Sequence, residues 1–330
     1  MSDLQPPATP HPQGSAEVTS RARLAHFASQ NGALIGLLVL GLAMFIATPT
    51  FLTTDNLLNV GIQAAVVAVL AFGQTFVIVT AGIDLAVGSL AALSATIAAF
   101  SAASWGMPGG IALLFGLATG LVAGGVNGLA IAYGKLPAFI ATLAMLSVGR
   151  GLTLVVSNGI PIATPDAITW LGGSVGPIPV PILVLVVMGL IGAFILNYTA
   201  VGRAMYAVGG NLEAAKLSGI PVKRVLLIVY ALSGLFAAVA GLVLSGRLAS
   251  AQPQAAVGYE LDAIAAVVIG GASLAGGVGR ISGTLVGALV LAVIRNGLNL
   301  LNVSAFWQQV IIGLVIAAAV GVDVLRRKST

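Results

Sequence analysis

An all-α polytopic membrane protein, with about ten transmembrane helices, is the fold class the sequence predicts, and three observations carry it. The chain is 58% hydrophobic and only 7% charged over 330 residues, with a mean hydropathy of +1.09. A water-soluble domain carries roughly 25% charged residues. Apolar runs close to the length that spans a bilayer recur along the chain, and the residue-by-residue alternation of a membrane β-barrel is absent. Helices must therefore satisfy the backbone polar groups inside the lipid.

Taken in order, residues 1–30 are rich in Pro, Ser and other polar residues, with too little apolar surface to offset the entropy of ordering. A flexible cytosolic tail is expected there. Arg21 and Arg23 precede the first apolar run, but no small-residue cleavage site follows, so a retained first helix is expected rather than a cleaved signal. Hydropathy then places spans at about 33–50, 60–80, 87–104, 109–133, 138–157, 180–199, 225–247, 263–278, 283–301 and 304–323. The connection TAGIDLAVGS and the glycine-rich GGASLAGGVGR are the two places where a broken or re-entrant segment is expected. A transmembrane domain over 31–325 and a short cytosolic tail at 326–330 complete the division.

Orientation follows from the fourteen Lys and Arg residues. With the N-terminus inside, Arg21, Arg23, Lys135, Arg203, Lys216, Lys223, Arg224, Arg280, Arg326, Arg327 and Lys328 face the cytosol, Arg247 alone faces outward, and Arg150 and Arg295 fall within spans. The positive-inside rule thus puts both termini in the cytosol. The same distribution argues against nucleic acid as a partner: the charge of +5 sits beside apolar spans rather than in one stripe. Membrane lipid is the expected surrounding.

Forty-three glycines matter through their spacing. Gly116, Gly120, Gly124 and Gly128 recur every fourth residue, as do Gly271, Ala275, Gly279, Gly283 and Gly287 if one helix carries them. Small residues on one face allow close helix approach. GIDLAVG at 82–88 echoes GASLAGG at 271–277, and Asn127-Gly128-Leu129 echoes Asn296-Gly297-Leu298, but the two echoes differ in lag, so no single duplication accounts for both.

The longest polar, basic insert between spans is GGNLEAAKLSGIPVKR, Gly209 to Arg224. Within it Glu213-Ala214-Ala215 and Gly219 form an EAA-x3-G pattern. The small alanines permit close approach by a partner, Glu213 suits a helix start, and Gly219 can end that helix in a left-handed conformation. The insert reads as a docking surface.

Together with GIDLAVGSL at 82–90 and the stretch AAVVIGGASLAGGVGRISGTLVGALVLAVI at 265–294, this insert makes the chain resemble the permease subunit of ribose-type bacterial ATP-binding-cassette sugar importers, over about residues 33–325. The resemblance implies a second copy of the permease, a cytosolic ABC ATPase subunit and a periplasmic sugar-binding protein as partners. It makes 200–224 a coupling loop, with Gly209, Gly210, Asn211, Glu213, Ala214, Ala215 and Gly219 carrying ATPase coupling. The expected cargo is a monosaccharide, ribose-like or another pentose or related sugar.

Within the bundle, Gln74, Asp84, Ser89, Asn127, Arg150 and Asn296 are candidates for the translocation path, because polar and ionisable groups inside a membrane mark pathways or interhelical contacts. Arg295, Gln63, Gln308 and Gln309 are further polar groups of the same kind. Arg247 is the candidate for receiving an acidic residue of the binding protein. The sequence predicts no cofactor, no metal and no catalysis. Gly134-Lys135 lacks the first glycine and the Ser/Thr of a phosphate-binding loop, and Gly277-Val278-Gly279 reaches Ser282 instead of a glycine. The two histidines, His11 and His26, both lie in the N-terminal tail, which leaves the membrane core without a Ser-His-Asp set. Two alternatives remain: a branched-chain amino-acid permease of the same superfamily, and an ion-coupled secondary transporter, which needs a cation site at the midplane.

Overall fold

The computed structural model describes residues 32–328. The predicted tail at 1–30, with Arg21 and Arg23, and the last two residues lie outside the described residues. The helices are α1 (Gly32–Ala47), α2 (Thr54–Val79), α3 (Val87–Trp105), α4 (Gly109–Ala132), α5 (Ala138–Ser157), the single turn α6 (Asp166–Thr169), α7 (Val180–Tyr198), α8 (Ala200–Gly210), α9 (Leu212–Leu217), α10 (Val222–Leu248), α11 (Tyr259–Ile269), α12 (Ile281–Leu300) and α13 (Ala305–Lys328). Seven of them, α2, α3, α4, α5, α7, α10 and α12, are long and apolar enough to cross a membrane. The fold is that of an all-α polytopic membrane protein. Among the described residues strand is confined to residue pairs: Ile162–Ala163 pairs antiparallel with Ser250–Ala251, and Ser174–Val175 with Ile178–Pro179.

Helix α2 is the axis of the bundle. Thr53 caps it by accepting from the Asn56 N–H, and every residue from Ala64 to Val79 is buried. A helix that is apolar all round needs neighbours all round, and α2 has α7, α10, α11 and α12. Phe76 meets Phe236 of α10 edge to face, with ring centroids 5.5 Å apart.

The glycine ladder on α4 is a helix–helix contact. A Cβ at Gly120 would fall on the Gly234 carbonyl oxygen of α10, and one at Gly124 on that of Tyr230. The backbones approach as closely as small residues allow, while Leu114, Val122, Val126 and Leu129 are exposed elsewhere on α4.

Three expectations require correction. The span predicted at 263–278 is helical only from Tyr259 to Ile269 and gives way to a non-helical segment at 270–280. Gly271, Gly276 and Gly277 there have positive φ, a conformation that a continuing right-handed helix excludes. The five-residue small ladder at 271–287 is therefore divided. Only Gly283 and Gly287 lie on α12, packed on the carbonyls of Gly270 and Ala266. The last helix continues past 323 to Lys328, into the predicted tail. The other expected break, at 80–86, is non-helical as anticipated.

Candidate functional site

Two sites lie at opposite ends of the bundle. The first is the elbow after α7. Thr199 starts α8 by accepting from the Gly202 N–H at 3.1 Å. Gly202, Met205 and Val208 are its buried residues, one face of an amphipathic helix. Tyr206 donates its hydroxyl to the Gly279 carbonyl at 2.6 Å. Burial raises its phenol above the ordinary range, opposed by the positive charge of Arg280.

Asn211 ends α8 and starts α9: its Oδ1 accepts from the Ala214 N–H at 2.9 Å, the capping role that favours Asn at this position. Glu213 sits in the first turn and pairs with Lys216 at 2.6 Å. The end is closed by the Ile220 N–H donating to the Ala215 carbonyl at 3.1 Å, with Gly219 left-handed at φ +77°. This is a glycine-terminated helix end of Schellman type. Only Ala215 of α9 is buried; Leu217, 90% exposed, projects an apolar side chain outward.

The elbow is seated on backbone. A Cβ at Gly209 would fall on the Val79 carbonyl oxygen at the end of α2 and lie 2.7 Å from the Gly277 nitrogen. That nitrogen itself donates to the Val79 carbonyl at 2.9 Å. Gly209, Val79 and Gly277 thus bring the elbow, the end of α2 and the 270–280 segment to one point. Gly210 has open space where a Cβ would stand. Beside the elbow runs a groove of about 850 Å³ whose lining includes Tyr133, Lys135, Lys216, Lys223 and Arg224, with the Lys223 ammonium 5.3 Å from the Tyr133 ring centroid.

At the other end, a cavity of about 510 Å³ lies among α2, α10, α11 and α12. Its polar lining is Gln63, Arg247, Gln252, Gln254, Tyr259, Asp262 and Arg295; Val66, Val67, Ala288 and Leu291 supply apolar wall. Asp262 and Arg295 form an ion pair across it, and the Arg295 guanidinium lies 5.8 Å from the Tyr259 ring centroid.

Of the polar groups expected along the path, Gln63 and Arg295 line this cavity, whereas Gln74, Asp84, Ser89, Asn127, Arg150 and Asn296 do not. Arg150 comes nearest, donating from Nη1 to the carbonyls of Pro253 and Ala255, each at 2.9 Å, and so it holds the loop that supplies part of the wall. Asp84 is fully buried in the 80–86 break: its carboxylate accepts from the Ala86 N–H at 2.9 Å and from the Ser233 hydroxyl at 2.8 Å. Gln74, in the amide orientation that satisfies both groups, bonds the Asp84 carbonyl at 3.1 Å and its N–H at 3.2 Å. Ser89 donates to the Ala86 carbonyl. These three brace the break. Asn296 exchanges two amide hydrogen bonds with Asn56, at 2.8 and 3.0 Å, while the buried Asn127 amide nitrogen has no partner among the described residues. Arg247 is on the cavity wall. Sequence reasoning passes over Tyr259, Asp262, Gln252 and Gln254. The signal available for Asp262 is an acidic residue at the edge of an apolar run that faces, two spans' length later, an arginine inside another.

The family described as "Branched-chain amino acid transport system / permease component" matches residues 56–320. Among curated proteins, the ribose import permease protein RbsC of Escherichia coli strain K12 is 47% identical over 296 residues, covering 88% of this chain and 92% of that protein. RbsC of Bacillus subtilis strain 168 is 47% identical, over 90% of this chain and 93% of its own. The xylose transport system permease protein XylH of Haemophilus influenzae is 35% identical, over 89% and 96%. No solved structure gives a significant match. With the elbow, the bundle and these likenesses in agreement over most of its length, the chain belongs to this family of multi-pass transport-system permeases.

Proposed function

We propose that the chain is the transmembrane subunit of an ATP-driven importer of a monosaccharide, ribose or a related pentose, handed over by a periplasmic binding protein. Two copies form the pathway, and a separate ABC ATPase in the cytosol supplies the force. The observation that carries this reading is the elbow: a six-residue helix capped at both ends, exposed except for Ala215, and seated through Gly209 on the end of the central helix. In this reading Gly209, Gly210, Asn211, Glu213, Ala214, Ala215 and Gly219 form the coupling element within 200–224, and Leu217 is its apolar contact with the ATPase. The permease domain is 31–325, crosses the membrane ten times, with α1, α11 and α13 added to the seven long apolar helices, and has both ends in the cytosol. Arg247 then faces the periplasm.

The sugar assignment is favoured over branched-chain amino acids because the likeness to ribose and xylose permeases extends over nearly the full chain. Ion-coupled transport is disfavoured because the acidic groups packed into the bundle are engaged, Asp84 by Ser233 and Ala86 and Asp262 by Arg295.

The test is reconstitution with the cognate ATPase and binding protein. Glu213→Arg or Leu217→Asp is expected to leave the permease inserted and folded, to lower co-purification of the ATPase, and to abolish ATP-driven uptake of radiolabelled ribose. Full ATPase association and uptake in both variants would remove the coupling role. Uptake of ribose by the permease without any ATPase would favour the ion-coupled reading instead.

A further inference from the structure

We infer that the cavity at the Arg247 end is a low-affinity binding site for one neutral monosaccharide, built around the Asp262–Arg295 pair and the Tyr259 ring. The inference rests on the sugar-importer reading and adds the place and the chemistry. The volume of about 510 Å³ falls within the roughly 300–1,000 Å³ of small-ligand sites.

A sugar hydroxyl both donates and accepts, so its site needs both kinds of group side by side. Gln63 and Gln252 offer an amide oxygen and an amide nitrogen each. Arg295 donates, and Asp262 accepts: one carboxylate oxygen holds Arg295, and the other has no hydrogen-bond partner among the described residues. Because Asp262 and Arg295 neutralise one another, hydroxyls can bond to either without the site demanding a charged cargo, which a low-dielectric wall would otherwise penalise. The remaining wall joins apolar Val66, Val67 and Leu291 to Gln254 and to Arg247, whose charge is exposed rather than enclosed, and the Tyr259 ring gives a flat face for the C–H side of a pyranose or furanose. The cavity is bounded on one side by the loop that Arg150 holds through the Pro253 and Ala255 carbonyls, so its width depends on a fixed contact rather than on a free loop. None of the residues that brace the 80–86 break takes part.

The absence of cysteine makes the test clean. Leu248 lines the cavity and is half exposed; Leu52 is equally exposed near the same end but outside the lining. In vesicles holding the permease with its ATPase, labelling of Leu248→Cys by an impermeant thiol reagent is expected to slow severalfold with millimolar D-ribose or D-xylose, and labelling of Leu52→Cys to stay unchanged. Protection should vanish when Tyr259→Leu or Gln63→Leu is added, and persist with Tyr259→Trp, which keeps a flat ring. Equal labelling of Leu248→Cys with and without every pentose and hexose tried, in a complex whose wild type imports ribose, overturns the site and leaves the importer standing. Protection by leucine or valine in place of sugars overturns the chemistry assigned to it. A wild-type complex that imports no sugar removes the importer reading and this inference together.

Discussion

At the residue scale the two glycines that begin the proposed coupling insert make opposite predictions although they are neighbours. Gly209 has no room for a methyl group, because the Val79 carbonyl oxygen occupies its place, whereas Gly210 faces open space. Gly209→Ala must push the elbow off the end of α2, at a cost of about 1–3 kcal/mol, and ATP-driven uptake should fall sharply. Gly210→Ala should leave uptake near the wild-type rate. Parallel uptake assays with thermal unfolding in detergent decide it: equal behaviour of the pair would mean that the backbone seat does not transmit force. Gly219 is different again, since nothing stands within reach of a Cβ there and the demand is only its φ of +77°. Gly219→Val should cost roughly 1–2 kcal/mol through the left-handed backbone alone, and Gly219→Asn should cost less, because Asn visits that region more readily. Hydrogen exchange of the amides of α9 would show the difference as faster fraying in the valine variant.

At the element scale, the contact between α2 and α12 is fixed at one end by the reciprocal amides of Asn56 and Asn296. Removing either leaves a buried amide unpaired, so Asn56→Leu alone is expected to destabilise the protein by about 1 kcal/mol, the usual worth of an interhelical polar contact in a membrane. Asn56→Leu with Asn296→Leu should recover part of the loss, since neither side-chain amide is then stranded and only the Phe51 carbonyl, which Asn56 also bonds at 2.8 Å, is left without that donor. A double-mutant cycle on the thermal midpoint measures the coupling, and strictly additive single effects would deny it.

This scale also shows what the sequence makes legible. The elbow can be read in advance because its determinants are local: Asn211 caps the very next turn, Gly219 closes it, and both lie in one polar insert. The breaks at 80–86 and 270–280 are legible for the same reason, in their glycines and in Asp84. The cavity is not, because Gln63, Asp262 and Arg295 belong to three helices scattered over more than two hundred residues and meet only through packing. Asp84 and Gln74 look like pathway groups by type, yet the backbone they brace is unsatisfied only once the 80–86 break is known to be non-helical.

For the whole molecule, charge and packing favour the proposed orientation. Lys135, Lys216, Lys223 and Arg224 gather around the elbow groove, while Arg247 lies on the wall of the cavity at the other end. Single cysteines in place of Lys135 or Leu217 should react with an impermeant thiol reagent only after the membrane is opened, and one in place of Gln254 should react in intact cells. Labelling of all three from one side would break the proposed topology.

The junction of Gly209, Val79 and Gly277 has a mechanical consequence. Side chains are the springs of a protein: they change rotamer and absorb small displacements before the backbone responds. At this joint main chain touches main chain on all three sides, so no side-chain layer lies there between the elbow, the proposed input lever, and the central helix, and play is small. In the proposed coupling role, a push on α9 too small to repack a core would then reach the foot of α2 with little lost, and the stroke would be set by the motion delivered to it rather than by slack taken up on the way.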